Sequence, residues 1–187
     1  MRSRMSSKVF EGPQVTLAEM LATRERRAAI QQEILQATDG AALVSATLNI
    51  PGPVKSSPLL VALFNQAMEQ IETRLQDTTP LVNLYREEKT GPEYYLLVGL
   101  SPKEVKKRMV DIEENHPYGR LLDLDILWLE DDTKKSISRQ ELGLPSRRCY
   151  VCQQDAKICG RARKHSIEEM RQAIEKMIED GKETPND

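Results

Sequence analysis

The stretch His116-Pro117-Tyr118-Gly119-Arg120-Leu121-Leu122-Asp123-Leu124-Asp125-Ile126 decides how this chain is read. The apolar run from Leu121 to Leu129 is bounded upstream by a Pro and Gly turn and downstream by Glu130-Asp131-Asp132, and so reads as a strand. Strand side chains alternate, which turns Asp123 and Asp125 to one face and Leu122, Leu124, Ile126 and Trp128 to the other. Two carboxylates roughly 7 Å apart on one face repel each other. A divalent cation or a basic ligand between them removes that cost, and Mg²⁺ completed by substrate phosphates suits the arrangement. The plain alternative is a solvent-facing edge strand that happens to carry two acids.

Upstream of this strand the signals alternate between helix and strand. Thr16 with Glu19 forms a capping box, opening a helix from about Leu17 to Ala37. Helical spacing puts Leu17, Met20, Leu21, Ala28 and Leu35 on its core-facing stripe, with Arg24 in the middle and Arg27 beside it. A charge there needs a partner, either an internal acid or an anionic ligand. Ala41 to Ile50 reads as a strand running into the loop Asn49 to Ser56. That loop has stiffening prolines, Gly52 and Lys55, but matches neither phosphate-loop fingerprint. A helix from Pro58 to about Leu75 follows, then a hairpin of Leu81 to Glu87 and Glu93 to Leu100. Ser101-Pro102 starts a third helix that ends before Pro117. Beyond the Asp-x-Asp strand come a polar connection, a basic block and a last helix, about Ile167 to Glu179. Three or four strands interleaved with four helices give an α+β, or mixed α/β, fold.

At 187 residues the chain is expected to be one domain, 1–187, with 1–14 flexible, a Cys- and His-rich basic subregion at 145–166 and a frayed tail at 181–187. Net charge is −2, and no apolar run could span a membrane, so neither nucleic acid nor membrane is an expected partner. The basic residues are local instead: Pro145 to His165 carries Arg147, Arg148, Lys157, Arg161, Arg163 and Lys164 against the single acid Asp155. That pattern suits a specific anionic ligand. Cys149, Cys152 and Cys159 are odd in number and clustered, which fits a reducing cytoplasm better than a disulfide framework. With His165 they have the identities and spacing of a tetrahedral structural Zn²⁺ site. Buried thiols, a redox-active Cys149/Cys152 pair, or a His165 that serves the anion site are the competing readings.

Taken in order, His116 to Asp125, Ile137-Ser138-Arg139, Leu144 to Cys149 and Cys159-Gly160-Arg161-Ala162-Arg163-Lys164-His165-Ser166 resemble one family. It is the citrate lyase holo-acyl-carrier-protein synthases, also called apo-citrate lyase phosphoribosyl-dephospho-CoA transferases. The N-terminal helix, with Arg24-Glu25-x-Arg27, and the Pro51-Gly52-Pro53-x-Lys55 loop extend the resemblance over nearly the whole chain. It implies a nucleotidyltransferase-like small sheet flanked by helices. It also implies transfer from triphosphoribosyl-dephospho-CoA to a serine of the acyl-carrier subunit of citrate lyase, with loss of diphosphate. Asp123, Asp125 and Arg120 would then form the reacting centre, with Mg²⁺ on the two aspartates. Arg24, Arg27, Lys55, Arg139, Arg147, Arg148 and Arg163 are the candidates for binding the donor. Asp132 and Glu141 are candidates for a third carboxylate, and His116 and His165 for a base. A zinc-stabilised RNA- or protein-binding module is the alternative from another class, and a hydrolase acting on a diphosphate-containing nucleotide is a third.

Overall fold

The computed structural model describes residues 8–183. In chain order these form α1 (Leu17–Gln36), β1 (Ala42–Leu48), α2 (Pro58–Arg74), β2 (Pro80–Arg86), β3 (Glu93–Val98), α3 (Pro102–Asn115), β4 (Leu122–Glu130), β5 (Thr133–Ser136), α4 (Ala156–Ala162) and α5 (Ile167–Glu183). The strands make one five-stranded sheet in the order β2-β3-β1-β4-β5, antiparallel at every pairing. The α+β expectation therefore holds, with one strand and one helix more than the sequence announced. β5 lies in what read as a polar connection. Asp131 and Asp132 both adopt positive φ, 49° and 56°, and close a two-residue hairpin without the usual Asn-Gly or Asp-Gly signal.

Period-2 alternation divides the core between the two faces of the sheet. Ala42, Val44, Ala46, Tyr94, Leu96, Val98, Leu122, Leu124 and Ile126 face α2 and α3, which contribute Phe64, Met68, Ile71, Val105, Met109 and Ile112. Leu43, Tyr95, Leu97 and Leu127 face the other way and meet Ile34 and Leu35 of α1. Asp123 and Asp125 share that second face, as the alternation required.

The core stripe expected for α1 is corrected by the structure. Leu17, Leu21, Arg24 and Ala28 are exposed, while Thr23, Gln31, Ile34 and Leu35 are buried. The cause is what lies beneath the helix. Its last turn covers apolar sheet, but the helix before it crosses a polar sheet end. There Thr23 hydrogen-bonds Thr90, Arg27 donates to Glu93 at 2.9 Å, and Gln31 donates to the Ser45 hydroxyl at 3.0 Å. The capping box itself is present, with Glu19 N–H donating to Thr16 Oγ1 and Thr16 N–H to Glu19 Oε2.

The turn before β4 aims the carboxylates. A Cβ at Gly119 would stand 2.3 Å from the Ile112 carbonyl and 2.6 Å from that of Glu113, so only glycine lets the chain cross the end of α3 this closely. β5 pairs only with Leu127 to Glu130, which leaves the outer edge of β4 from Leu122 to Ile126 without a strand neighbour. Side chains take the strand's place: Lys106 donates to the Leu124 carbonyl at 2.8 Å, and Arg147 to the carbonyls of Leu122 at 2.7 Å and Arg120 at 3.2 Å.

The flexible segment expected at 1–14 falls partly outside the described residues. Within them, Val9 and Phe10 are buried beside Leu60, Leu63, Ile174 and Ile178, and the Ser57 hydroxyl donates to the Val9 carbonyl. At the other end α5 is helical through Glu183, past the expected frayed point, with Gly181 close against Tyr118; residues 184–187 lie outside the described range.

Candidate active site

Two cavities meet at Asp123, Arg147 and Lys157. The smaller, about 270 Å³, is lined by Asp123, Asp125, Lys106, Glu113, Arg139 and Arg147 among others. The larger, about 700 Å³, joins Asp123 to Arg120, Arg147, Lys157, Arg163 and His165, with Asn49 and Tyr150 on its wall. Asp123 is 54% exposed, open to both. Asp125 is accessible from the smaller cavity, yet the walls around it desolvate its carboxyl. Burial first, then repulsion from Asp123, push its pKa above the ordinary carboxylate value. Lys106 and Arg27 offset only part of that cost, and the remaining repulsion between the two carboxylates is what a bound cation would remove.

Sequence reasoning missed two residues here. Lys106, buried, has its pKa lowered by desolvation, against which Glu113 and Asp125 pull it back up. Glu113, 2% exposed, lines this cavity, as does the expected candidate Glu141, while the other candidate, Asp132, does not. Asp132 sits in the β4–β5 turn, and Glu141 is engaged by the N–H and hydroxyl of Ser138. The signal for both missed residues was present in α3. Lys106 and Glu113 are seven residues, two helical turns, apart, and so share a face next to the Val105-Met109-Ile112 stripe.

The expected donor-binding residues separate into groups. Arg120, Arg147 and Arg163 line the larger cavity. Arg139 is held by Glu113 and by Glu114 at 2.7 Å, and its buried Nε has no partner among the described residues. Arg27 is held by Glu93, which also accepts from the Tyr95 hydroxyl. Arg24 and Lys55 line neither cavity but stand close enough to repel; burial and Arg24 together lower the Lys55 pKa. Arg148 is exposed and lines neither cavity; its backbone bridges to Asp155. His116 is also away from both cavities: its Nδ1 accepts the Tyr118 N–H at 3.1 Å, and burial lowers its pKa.

The sulfur and imidazole groups converge as their spacing suggested. One ligand atom each from Cys149, Cys152, Cys159 and His165 lies within 4.8 Å of all the others, a cluster able to hold a metal ion. Cys152 Sγ is 3.5 Å from Cys159 Sγ and 3.2 Å from His165 Nε2. Its thiol is lowered to about 6, first by the Gln154 N–H and then by its neighbours in the cluster, while burial raises that of Cys159. All three cysteines are free thiols.

The sequence profile of the family described as "Apo-citrate lyase phosphoribosyl-dephospho-CoA transferase" matches residues 15–181. The chain is 43% identical over 169 residues to a "Probable apo-citrate lyase phosphoribosyl-dephospho-CoA transferase" of Streptococcus pyogenes serotype M3, covering 90% of this chain and 88% of that protein. It is 38% identical to one of the same name from Vibrio cholerae serotype O1, covering 89% and 93%. "Protein CitXG" of Leuconostoc mesenteroides subsp. cremoris matches at 34% over 90% of this chain but 36% of its own length. These matches set aside the RNA- or protein-binding module as the reading of the whole chain. No helix among the described residues is long and apolar enough to cross a membrane. An antiparallel sheet that brings paired carboxylates to a cation-walled cavity, in a chain matched to this family over nearly its whole length, makes the protein a member of the apo-citrate lyase phosphoribosyl-dephospho-CoA transferase family.

Proposed function

We propose that this protein transfers the phosphoribosyl-dephospho-CoA group from triphosphoribosyl-dephospho-CoA to a serine hydroxyl of the acyl-carrier subunit of citrate lyase, releasing diphosphate. The observation that carries this reading is that Asp123 lines both cavities, together with Arg147, 3.8 Å from its carboxylate, and Lys157, and shares the larger one with Arg120 and Arg163. In the transfer the serine O–P bond forms at the α-phosphorus as the P–O bond to diphosphate breaks, and the hydroxyl loses its proton. Little covalent chemistry is asked of the protein, so its work is positioning and charge neutralisation.

The planar guanidinium of Arg120, with those of Arg147 and Arg163, suits the triphosphate, each able to give paired donors to phosphoryl oxygens. Arg120 is half-buried and its pKa is lowered by burial and by Arg147, so an anion placed beside it relieves a strain already present. Asp123 and Asp125 would hold Mg²⁺, which when bound polarises the phosphoryl oxygens and the attacking hydroxyl. Lys106 neutralises the inner side of that carboxylate pair, and Glu113 fixes Arg139 and steadies Arg147, 3.9 Å away. Arg24 and Lys55 form a second cationic patch on the α1 side, available to an approaching anion. The three thiols and one imidazole are a donor set for Zn²⁺. Free thiols and the carrier substrate suit the cytoplasm, and no nucleic acid or membrane enters the reaction.

The test incubates the protein with Mg²⁺, donor and apo-carrier, and weighs the carrier by mass spectrometry. A mass gain equal to the phosphoribosyl-dephospho-CoA group on serine is expected. An unmodified carrier alongside unconsumed donor would refute the reading, and donor consumed with no carrier present would point to a hydrolase instead.

A further inference from the structure

The segment from Ile137 to Ser166 builds most of the outer wall of the larger cavity, yet it has almost no core of its own. Its regular structure is one 3₁₀ turn, Gln140–Leu142, and α4, seven residues long. A helix that short is unstable by itself. Of its residues only Cys159 is buried, and Ile158 is 63% exposed. The N-cap is local: Asp155 accepts the N–H groups of Lys157 and Ile158. Apart from Ile137 N–H to the Ile126 carbonyl at its start, the backbone bonds fold the segment onto itself, among them Cys149 N–H to the Gln154 carbonyl, Ala156 N–H to that of Arg147 and Lys164 N–H to that of Cys159.

What does reach the body of the protein lies before and after α4, beginning with Arg139 on Glu113 and Glu114 of α3. Arg147 caps the open edge of β4, Tyr150 packs on the cluster of Leu60, Leu63, Tyr118 and Leu121, and α5 enters the same cluster through Ile174 and Ile178. Between those anchors stand Lys157 and Arg163, the cationic cavity-lining residues of α4 and its C-cap. The four cluster residues bracket them: Cys149 and Cys152 before α4, Cys159 within it and His165 just after.

The spacing fits a metal ion. A tetrahedral zinc with Zn–S bonds of about 2.3 Å has ligand-to-ligand edges of roughly 3.8 Å. The Cys152–Cys159 separation of 3.5 Å is too long for a disulfide and near such an edge, and Cys152 Sγ lies 3.2 Å from His165 Nε2. Cys149, Cys159 and His165 also line the larger cavity.

We infer that a zinc ion held by Cys149, Cys152, Cys159 and His165 is the clamp that fixes α4 and thereby sets Lys157 and Arg163 opposite Asp123, so that zinc loading controls binding of the triphosphate-bearing substrate. The inference rests on the zinc reading of the cluster and on the anion reading of the cavity given above, and adds the coupling between them. Zinc here touches no reacting atom; it positions the wall.

The experiment measures zinc per chain by mass spectrometry of the purified protein and titrates inorganic triphosphate calorimetrically before and after zinc is released with an organomercurial and chelator. One zinc per chain is expected. Its release should weaken triphosphate binding roughly tenfold or more, the scale of one or two lost charge-assisted hydrogen bonds, with far-UV ellipticity nearly unchanged. Readdition of zinc after the mercurial is removed with excess thiol should restore both zinc content and affinity. In zinc-loaded protein, the double variant Lys157→Ala with Arg163→Ala should lose a similar share of affinity while retaining its zinc. Zinc bound and released with affinity unchanged would overturn the coupling and leave the zinc reading standing, as would global unfolding on release. Absence of zinc with all three cysteines freely titrated would overturn the zinc reading itself. A double variant that binds triphosphate like the parent would show that this wall does not hold the anion.

Discussion

The two cavities that share Asp123 differ in what holds their working groups. The inner side of the smaller is regular structure, with its paired carboxylates on β4, its lysine and buried glutamate on α3 and a close-packed glycine turn joining the two, while its outer side is chain from the 137–157 segment. The larger has one wall of that kind and one of nearly irregular chain drawn together around three thiols and an imidazole. Reacting groups placed by a sheet are held by the whole core, whereas the wall that meets the substrate depends on a few local ties. The first should fail only when the fold fails. The second can loosen by itself.

That contrast can be broken most directly at the carboxylates. Replacing Asp123 or Asp125 with Asn should reduce carrier modification by roughly a hundredfold or more, the scale of losing a metal-organised, charge-stabilised step. The cysteine cluster should keep its metal content in both variants; a loss there would show that the two regions are one unit. Glu113→Ala tests the depth of the first region. It leaves the Arg139 guanidinium, 10% exposed, with only the surface Glu114, and should lower stability by about 3–5 kcal/mol in urea unfolding. Lys106→Met keeps the volume but strips the Leu124 carbonyl of its partner, costing about 1–3 kcal/mol by the same measurement.

Asp125 gives a prediction of opposite sign. Its pKa is raised in the folded protein, so its protonated form is favoured there and ionisation costs the folded state more than the unfolded one. The associated stability is present below the ordinary carboxylate range and is lost as pH climbs through the raised value. Asp125→Asn should therefore raise the melting temperature at neutral pH without Mg²⁺ while abolishing transfer, and should shrink the stabilisation that Mg²⁺ gives. A lower melting temperature would mean that the charge there is already balanced. The smallest expected effect is Thr16→Ala, which removes a helix cap far from both cavities: about 1 kcal/mol of stability, with transfer unchanged.

Much of the smaller cavity was legible in the sequence because alternation along a strand is a strong signal. Asp123 and Asp125 share a face, and Leu122, Leu124 and Ile126 are buried on the other. The α1 stripe misled for a physical reason: an amphipathic pattern shows which residues are apolar but not what the sheet offers beneath them. Where the sheet presents Ser45, Glu93 and Tyr95, polar side chains go under and leucines stay out. Glu113 was hidden because a buried glutamate on an otherwise charged helix looks like any surface acid until its arginines, 26 and 34 positions away along the chain, are seen. The Cys and His identities announced a cluster, but not that it would border the cavity.

The open edge of β4 has a consequence beyond catalysis. An unpaired strand beside an accessible cavity is a template on which another chain can add a strand, the first step toward aggregation. Here the exposed carbonyls are met by the charged ends of Lys106 and Arg147, and the Ile126 carbonyl by the Ile137 N–H. The same side chains that border the reacting centre thus protect the edge from unwanted partners. Variants that remove both should lose solubility even where they still fold, because the edge that reaches substrate would then be free to reach its neighbours.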